Sequence, residues 1–269
     1  MRREMASILD AFKLTDRVAI VTGAGRGIGR GVALAFADAG AHVVCAARTQ
    51  SQIQETDELV RARGREALPV VCDVTRSEQL EALVAAARGH FPRLDLLVNN
   101  AGGWPPKPAM QTSEREFEKA FHFNVTQAFV LTQLCVPHMV ETAGGGAVVN
   151  ISSRAGGLVQ KAFVAYGTAK MALNFMTRNL AFELAPKVRV NAIAVGGVET
   201  DALKVVLTNP EIRKQLERNT PMQRVGQVED IAACALYLAS PAASWVTGKI
   251  FEVDGGSEAP AFLIPTPPL

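Results

Sequence analysis

A tyrosine and a lysine stand four residues apart in the segment AYGTAK, residues 165–170. In an α-helix, residues i and i+4 lie one above the other, so Tyr166 and Lys170 would share one helix face. The plain interpretation is a helix face without chemistry, because groups with pKa values near 10 exchange few protons at neutral pH. The chemical interpretation is that Tyr166 is a proton donor whose pKa is lowered by the charge of Lys170.

A glycine-rich segment, TGAGRGIG at residues 22–29, lies between a strand-like run and a predicted helix. Gly23, Gly27 and Gly29 allow a tight turn and let a phosphate come close to the backbone. The N–H groups at the start of a helix, here near Ile28, bind a pyrophosphate together with the helix dipole. Because a strand precedes the segment and a helix follows it, we predict a dinucleotide site.

The choice between NAD and NADP depends on the end of the second predicted strand, CAARTQ at residues 45–50. A carboxylate there would bind a ribose 2′-hydroxyl, but no acidic residue lies between His42 and Glu55. Arg48 occupies the turn and Arg26 lies in the glycine loop, and a guanidinium binds phosphate oxygens through two parallel hydrogen bonds. The two arginines therefore predict NADP(H). The alternative is that both only solvate the rim of the site.

Further cofactor contacts are predicted after the third and fourth strands. Asp73, followed by Val74, would accept a hydrogen bond from the adenine amino group, although an aspartate after a strand is also an ordinary helix cap. The segment VNNAGG follows the fourth strand, and its glycines permit close approach of a ribose. From this segment we assign Asn100, Ala101 and Gly102 to the cofactor site.

The predicted elements bring these motifs to one edge of a sheet. Short apolar runs alternate with longer segments of helical period, from RVAIVT near the start to KIFEV near the end. This rhythm predicts an α/β protein with a doubly wound, Rossmann-type parallel sheet of about seven strands and helices on both faces. One domain is expected over residues 1–269, with a long helix over 114–140. The irregular region at about 196–226 is assigned to a substrate lid, and residues 257–269 to a tail.

Composition argues against several other classes of protein. The 28 basic and 26 acidic residues give a net charge of +2 without a basic block, so no nucleic-acid partner is expected. The four cysteines and four histidines lack metal-ligand spacing, so we predict no metal site and buried free thiols. No apolar segment is long enough for a membrane span or a signal-peptide core, so we expect a cytoplasmic protein without a membrane partner.

The motifs TGAGRGIG, NNAG, NISS and the Tyr166/Lys170 pair, in that order, resemble the short-chain dehydrogenase/reductase family over about residues 14–256. The chain looks most like single-domain, NADP-preferring members such as 3-oxoacyl reductases and hydroxysteroid dehydrogenases. The resemblance implies a serine thirteen residues before the tyrosine, which is Ser153 and not Ser152. Only one of the two should face the substrate, because adjacent strand side chains point to opposite faces.

The same resemblance implies two further groups of site residues. Asn124, in HFNV, matches the family's helix-distorting asparagine, whose backbone carbonyl would hold a water chain to the lysine. The alternative is an interior polar residue without this role. Gly196, Val198 and Thr200, after the sixth strand, fit the cofactor pattern. Val195 stands where the family usually has proline, and this change frees a backbone angle and restores an N–H beside the nicotinamide.

Together these residues predict an NADP(H)-dependent oxidoreductase that transfers a hydride between the nicotinamide and a carbonyl or secondary alcohol. Tyr166 would donate the proton, Lys170 would tune it and bind the nicotinamide ribose, and Ser153 would donate to the carbonyl oxygen. The alternatives are a 3-oxoacyl reductase for carrier-protein or CoA substrates, and a regulator that binds NADP without chemistry. An enoyl reductase is disfavoured because its family pattern usually separates tyrosine and lysine further.

The substrate is expected to be a bulky apolar ketone or alcohol. Trp104, followed by two prolines, would place an aromatic ring beside the nicotinamide, and Leu203 and Leu207 would form the underside of a lid. The alternative is that Trp104 packs inward and the lid residues contact a neighbouring subunit.

Assembly is predicted from the two longest helical stretches, residues 114–140 and 163–185. Among other apolar residues they carry Phe117, Phe121, Phe129, Phe175 and Phe182, more than one sheet face readily covers. By family resemblance, such helices pair across two-fold axes into a homotetramer. The alternative is that these residues belong to the core.

Overall fold

The computed structural model describes residues 7–200, 203, 208–260, 264 and 266–267. Within these residues, parallel strands form one seven-stranded sheet in the order β3-β2-β1-β4-β5-β6-β7. The strands are β1 (Val18–Thr22), β2 (His42–Ala47), β3 (Ala67–Val71), β4 (Leu96–Asn99), β5 (Gly146–Ser153), β6 (Val188–Val195) and β7 (Ile250–Val253). The predicted doubly wound α/β fold is confirmed.

Helices cover both faces of the sheet. They are α1 (Gly27–Asp38), α2 (Gln50–Arg61), α3 (Ser77–His90), α4 (Glu114–Phe121), α5 (Gln127–Ala143), α6 (Val164–Leu184), α7 (Pro210–Asn219) and α8 (Val228–Ala239). Side chains alternate along β1, so that Ala19 and Val21 pack with α1 and α8, while Val18 and Ile20 pack with α3 and α5. Burial on both faces explains why the strands read as continuous apolar runs.

The strand order reverses between β1 and β4, and this reversal creates the crevice that a ligand needs. The chain proceeds outward from β1 to β3 and then returns to add β4 on the other side of β1. The register pairs Val21 of β1 with Cys45 of β2 and with Val98 of β4. Loops that leave these two neighbours of β1 therefore diverge at the carboxyl edge of the sheet, where open α/β sheets bind ligands.

The helix predicted over residues 114–140 is not continuous. A π-helical turn, His122–Thr126, separates α4 from α5, and α5 continues to Ala143. The Asn124 side chain explains the break, because its Nδ2 donates to the Ala120 carbonyl at 2.8 Å and competes with the helical backbone ladder.

The region predicted to be irregular contains a helix, α7. Asn209 caps it by accepting a hydrogen bond from the N–H of Glu211 at 3.0 Å, and Pro210 occupies a position in its first turn. An Asn-Pro pair is a recognisable helix start, so this signal was present in the sequence. Leu207 and the rest of the predicted lid turn at residues 204–206 lie outside the described residues.

Among the described residues, no helix is both long and apolar enough to cross a bilayer, and no three His, Cys, Asp or Glu side chains are grouped to hold a metal ion. The thiols of Cys45, Cys72, Cys135 and Cys234 are free, and the first three are buried.

Candidate active site and cofactor cleft

A cleft of about 500 Å³ opens at the carboxyl edge of the sheet. Its walls come from the glycine loop after β1, the ends of β2 to β6, and the first turns of α6. It is lined by most of the residues predicted from the sequence: Gly23, Arg26, Gly27, Ile28, Gly29, Arg48, Asp73, Val74, Asn100, Ala101, Gly102, Ser153, Tyr166, Lys170, Gly196 and Thr200. The fold therefore gathers residues far apart in sequence into one site.

The glycine loop leaves open a cradle that any side chain would fill. Gly23 and Gly27 have φ values of +65° and +52°, in the region that favours glycine. A Cβ on Gly23 would lie 2.6 Å from Asn100 Nδ2, and one on Gly29 would collide with the Gly23 carbonyl. Helix α1 begins at Gly27, and no hydrogen bond from the Arg26 side chain caps it. The residues present fit a pyrophosphate bound by the first-turn N–H groups.

The end of the cleft formed by β2 and β3 carries a basic side chain suited to a phosphate and an acidic side chain suited to an adenine amino group. Arg48 is exposed on the turn after β2. Asp73 Oδ1 accepts hydrogen bonds from the N–H and the hydroxyl of Thr75, at 3.0 and 2.8 Å. Burial alone would raise the pKa of Asp73, but these hydrogen bonds and the charges of Arg48 and Arg76 lower it.

Asp73 is not the cap of the following helix. The N-cap of α3 is Arg76, three residues later, and the carboxylate of Asp73 instead organises the turn that leads to it. Since the side chain also lines the cleft, its carboxylate remains available to accept a hydrogen bond from an adenine amino group.

The two serines at the end of β5 differ in their surroundings. Ser152 is buried, and its hydroxyl donates to the backbone carbonyl of Lys170 at 3.4 Å. Ser153 is half-buried, accepts from the N–H of Ala155 at 3.1 Å, and hydrogen-bonds to the side chain of Tyr166. Of the two hydroxyls, only that of Ser153 therefore reaches the tyrosine, as the spacing implied.

Tyr166 and Lys170 lie one turn apart on α6 and face the cleft together. The Lys170 ammonium lies 5.7 Å from the centroid of the Tyr166 ring and donates to the Ile151 carbonyl at 2.9 Å. Burial lowers the pKa of Lys170 to about 7. Burial also raises the pKa of Tyr166, an effect only partly offset by the hydrogen bond with Ser153.

These pKa shifts correct one expectation. The sequence predicted that the charge of Lys170 lowers the pKa of Tyr166, yet in the structure the pKa of the phenol is raised. The reason is that both groups are desolvated, and desolvation disfavours the ammonium and the phenolate alike. A phenol that keeps its proton at neutral pH is the form that can donate it.

Asn124 acts through its side chain on the loop that follows β4. Its Oδ1 accepts from the N–H of Gly103 at 2.9 Å, and its Nδ2 donates to the carbonyl of the same residue at 3.1 Å. A Cβ on Gly102 would lie 2.9 Å from Asn124 Oδ1 and 3.2 Å from Lys170 Nζ, which explains the glycine. Asn124 itself is buried and does not line the cleft. The water chain through its carbonyl stays a prediction.

The end of β6 and the following loop supply Val195, Gly196 and Thr200 to the cleft, but not Val198. Val195 extends the strand and pairs with Ser153, and the N–H of Gly196 donates to the Val253 carbonyl at 3.0 Å. A Cβ on Gly196 would lie 2.6 Å from Asp254, so glycine is required there. Val198 is buried and forms a bridge with Gly226 away from the cleft. Val198 packs in the core. The family pattern alone could not show that Gly196 lines the cleft while Val198 does not.

The three residues predicted to contact substrate are not brought together. Leu203 packs against Leu216 and Val225 in a small cluster outside the cleft, and Leu207 lies outside the described residues. Trp104 lines a different cavity with Arg48 and Asp73, at the end of the cleft away from Tyr166. Trp104 therefore does not share a cavity with Tyr166, and the apolar wall beside the nicotinamide is not supported for this residue.

Several residues with roles near the site were not predicted. Thr49, Gln52 and Phe123 line the cleft. Arg154, directly after Ser153, is buried and pairs with Glu252, while its Nε lies 2.7 Å from Asp254 Oδ2. Its Nη2 also donates to the Ser257 carbonyl at 3.0 Å, which ties the segment after β7 to the end of β5. A basic residue beside a candidate catalytic serine was the available signal for Arg154.

Comparison with known proteins supports the same family. The family model described as Enoyl-(Acyl carrier protein) reductase matches residues 23–258. An uncharacterized oxidoreductase of Mycobacterium tuberculosis is 50% identical over 97% of this chain and 100% of its own length. The 7alpha-hydroxysteroid dehydrogenase of Escherichia coli is 42% identical over 92% of this chain and 96% of its own.

A solved structure of a 7alpha-hydroxysteroid dehydrogenase, complexed with NADH and 7-oxo glycochenodeoxycholic acid, superposes with a TM-score of 0.90. It shares 40% identity over 94% of this chain and 98% of its own. The chain therefore belongs to the short-chain dehydrogenase/reductase family and is a nucleotide-binding oxidoreductase.

Proposed function

We propose that the protein is an NADP(H)-dependent oxidoreductase that interconverts a ketone and a secondary alcohol. The observation that carries the proposal is that Ser153, Tyr166 and Lys170 line the same cleft as the glycine cradle. A regulator that only binds nucleotide would have no need of a phenol hydrogen-bonded to a serine hydroxyl beside a buried lysine. We therefore assign catalysis to this constellation.

In the mechanism that follows, the bound cofactor supplies or accepts the hydride. During reduction, Tyr166 donates its proton to the carbonyl oxygen, and general acid catalysis of this kind contributes about 10² to 10⁴ in rate. Ser153 donates a hydrogen bond to the same oxygen as charge develops there, an interaction that is worth about 10² to 10³ elsewhere. Lys170 binds the nicotinamide ribose and, when charged, stabilises the phenolate that remains.

The preference for NADP over NAD rests on this chain's own arginines. Arg26 and Arg48 both line the cleft, at the helix start and at the end of β2. In a doubly wound nucleotide site, this corner receives the 2′-position of the adenosine ribose, where arginine favours a phosphate. One solved relative holds NADH and another holds NADP, so the preference does not follow from the family and has to be argued from the arginines of this chain.

The substrate class proposed is a bulky cyclic ketone or alcohol, such as an oxo-steroid. The support is the relatedness to hydroxysteroid dehydrogenases, one of which was solved with a 7-oxo bile acid. The name of the matching family model suggests an alternative, reduction of a carbon–carbon double bond. Against it, the spacing of four presents both Tyr166 and Lys170 to the cleft beside Ser153, a set suited to an oxygen that acquires charge. A 3-oxoacyl reductase is the second candidate within carbonyl chemistry.

A substrate panel tests the proposal. The absorbance of NADPH at 340 nm is followed with oxo-steroid, 3-oxoacyl, enoyl, sugar and quinone substrates, and each reaction is repeated with NADH. We expect turnover with oxo-steroids and a higher kcat/KM for NADPH than for NADH. Turnover restricted to enoyl substrates, or an equal preference for the two cofactors, would overturn the corresponding part of the proposal.

We also propose a homotetramer in a reducing, cytoplasmic compartment. The five phenylalanines on which the assembly was predicted are not core residues: Phe175 and Phe182 are 62% and 89% exposed, and Phe117, Phe121 and Phe129 are exposed as well. An apolar cavity of about 940 Å³ lies at the start of α6, between the loop that precedes the helix and Met171. Sedimentation at micromolar concentration is expected to show a tetramer, and a monomer would refute the assembly. The free, buried thiols support the compartment.

A further inference from the structure

Trp104 lies in a cavity of about 950 Å³ that is continuous with one end of the cofactor cleft. Four residues belong to the walls of both spaces: Arg48, Asp73, Gly103 and Phe123. Neither Ser153 nor Tyr166 lines this second cavity, which is instead bounded by the turn after β3 and the first residues of the π-turn. The indole therefore lies near the ends of β2 and β3, where the site receives adenosine.

The backbone around Trp104 is held on both sides. Gly103 has a φ of +133°, which only glycine adopts readily, and both its N–H and its carbonyl are bound by the Asn124 side chain. After the two prolines, the N–H of Lys107 donates to the Ala162 carbonyl at 2.8 Å, and its ammonium lies 2.7 Å from Glu116 Oε1. An aromatic ring on a segment fixed at both ends is suited to bind a flat ligand with little entropic cost.

The groups around the indole match a purine with an attached phosphate. Asp73 offers a carboxylate to the adenine amino group, and Arg48 offers a guanidinium to a phosphate. On the wall formed by α4 and the π-turn, Lys119 and His122 add basic side chains and Glu118 adds a carboxylate, and His122 Nε2 lies 3.0 Å from the Thr75 carbonyl. A neutral apolar ketone offers no charge that would complement Arg48 or Lys119.

We propose that Trp104 is a cofactor-binding residue whose indole covers the adenine ring of the dinucleotide. The inference rests on the proposed dinucleotide function and deepens it, because it assigns to the adenosine end a residue that the sequence pointed toward the substrate. Stacking of a base on an aromatic side chain contributes about 1 to 3 kcal/mol to the binding free energy and does not depend on the nicotinamide. It predicts that Trp104 contributes to the binding of adenine nucleotides and not to the binding of the ketone.

Fluorescence tests the contact directly, since the chain has 2 tryptophans. Trp245 is 98% exposed and lines none of these cavities, so Trp245→Phe leaves Trp104 as the single reporter. Titration of this variant with 2′,5′-ADP, which carries no nicotinamide, is expected to quench its emission. In the matched control, Trp104→Phe, the remaining Trp245 is expected to respond little.

Affinity provides the second readout. By calorimetry, Trp104→Ala is expected to weaken 2′,5′-ADP about tenfold, whereas Trp104→Phe keeps most of the affinity because a ring remains. The KM for the ketone is expected to stay within about twofold in both variants, as stacking on the base does not touch the substrate. Unchanged nucleotide affinity in Trp104→Ala, or a raised KM for the ketone alone, would overturn the inference and restore a substrate role.

Titration with adenosine 5′-diphosphate distinguishes a failure of the contact between Trp104 and adenine from a failure of the proposed NADP preference. If it binds as tightly as 2′,5′-ADP, the proposed role of the arginines fails, while quenching of Trp104 by both nucleotides still supports the contact with adenine. If neither nucleotide quenches Trp104, the contact itself is refuted, whichever cofactor the enzyme prefers.

Discussion

Replacing Lys170 by methionine is expected to stabilise the protein at neutral pH while it damages the site. Lys170 is buried with 3% exposure, and burial lowers its pKa from an ordinary value of 10.5 to about 7. Each pKa unit corresponds to about 1.4 kcal/mol, so burying this lysine costs up to about 5 kcal/mol at pH 7. The hydrogen bond to the Ile151 carbonyl offsets about 1 kcal/mol of that cost. Methionine fills a similar volume, and we expect Lys170→Met to be more stable by about 2 to 4 kcal/mol at pH 7.

The sign of the pH dependence follows from the lowered pKa. The folded protein releases the proton of Lys170 near pH 7, whereas the unfolded chain holds its lysine protons up to about pH 10.5. Above pH 10.5 the penalty is absent, and as pH falls toward 7 it grows to its full size. The advantage of Lys170→Met should therefore shrink by roughly 3 kcal/mol between pH 7 and 9.5.

Urea unfolding of wild type and Lys170→Met at a series of pH values measures this difference. Lys187 is exposed, so Lys187→Met is a control whose stability should follow that of the wild type at every pH. If the free energies of unfolding of wild type and Lys170→Met change in parallel with pH, or if the variant is less stable than wild type at pH 7, then burial does not determine the pKa of Lys170. Binding of NADPH to Lys170→Met is expected to weaken in the same samples, because the ribose contact is lost.

Three further substitutions test the phosphate contact, the buried ion pair and the subunit interface. Arg48→Asp should weaken 2′,5′-ADP by about 1.5 to 3 kcal/mol by calorimetry while the affinity for adenosine 5′-diphosphate falls less, and equal losses would argue against a phosphate contact. Arg154→Leu should lower the free energy of unfolding in urea by roughly 3 to 5 kcal/mol, because it leaves the buried carboxylate of Asp254 without its ion-pair partner. Glu252→Gln, at the half-exposed end of the same cluster, should cost much less. Similar losses in the two variants would contradict this. Phe182→Asp should shift the sedimentation profile to smaller species, and an unchanged profile would exclude this face of α6 from the interface.

The sheet could be predicted because every signal for it is local. Apolar runs such as 42–47 alternate with amphipathic helices, and the glycine loop marks the first turn unambiguously. The break at Asn124 has no local propensity signal, because one side-chain amide that bonds to the Ala120 carbonyl decides it, and only the family resemblance pointed to this asparagine. Helix α7 carried a local signal, Asn209 before Pro210, which the composition of its surroundings obscured.

For the site, sequence spacing predicted which side chains meet and failed where a loop decides the direction. Tyr166 and Lys170 meet because helix geometry requires it, and Ser153 joins them because a strand end is rigid. Trp104 follows a glycine with a positive φ, and its direction depends on the contact between Gly103 and Asn124, which are distant in sequence. The pKa of Tyr166 could not be predicted either, since it depends on how much of the cleft is desolvated.

Tyr166→Phe tests whether Tyr166 is the proton donor, because the ring still packs and only the hydroxyl is removed. Hydride transfer from NADPH is followed at 340 nm in a single turnover, with the ketone selected by the substrate panel, and NADPH affinity is measured in parallel. We predict that the transfer rate falls at least about 10²-fold while NADPH binds within about threefold of the wild type. A variant that keeps more than about a tenth of the wild-type rate would contradict the assignment of Tyr166 as the acid.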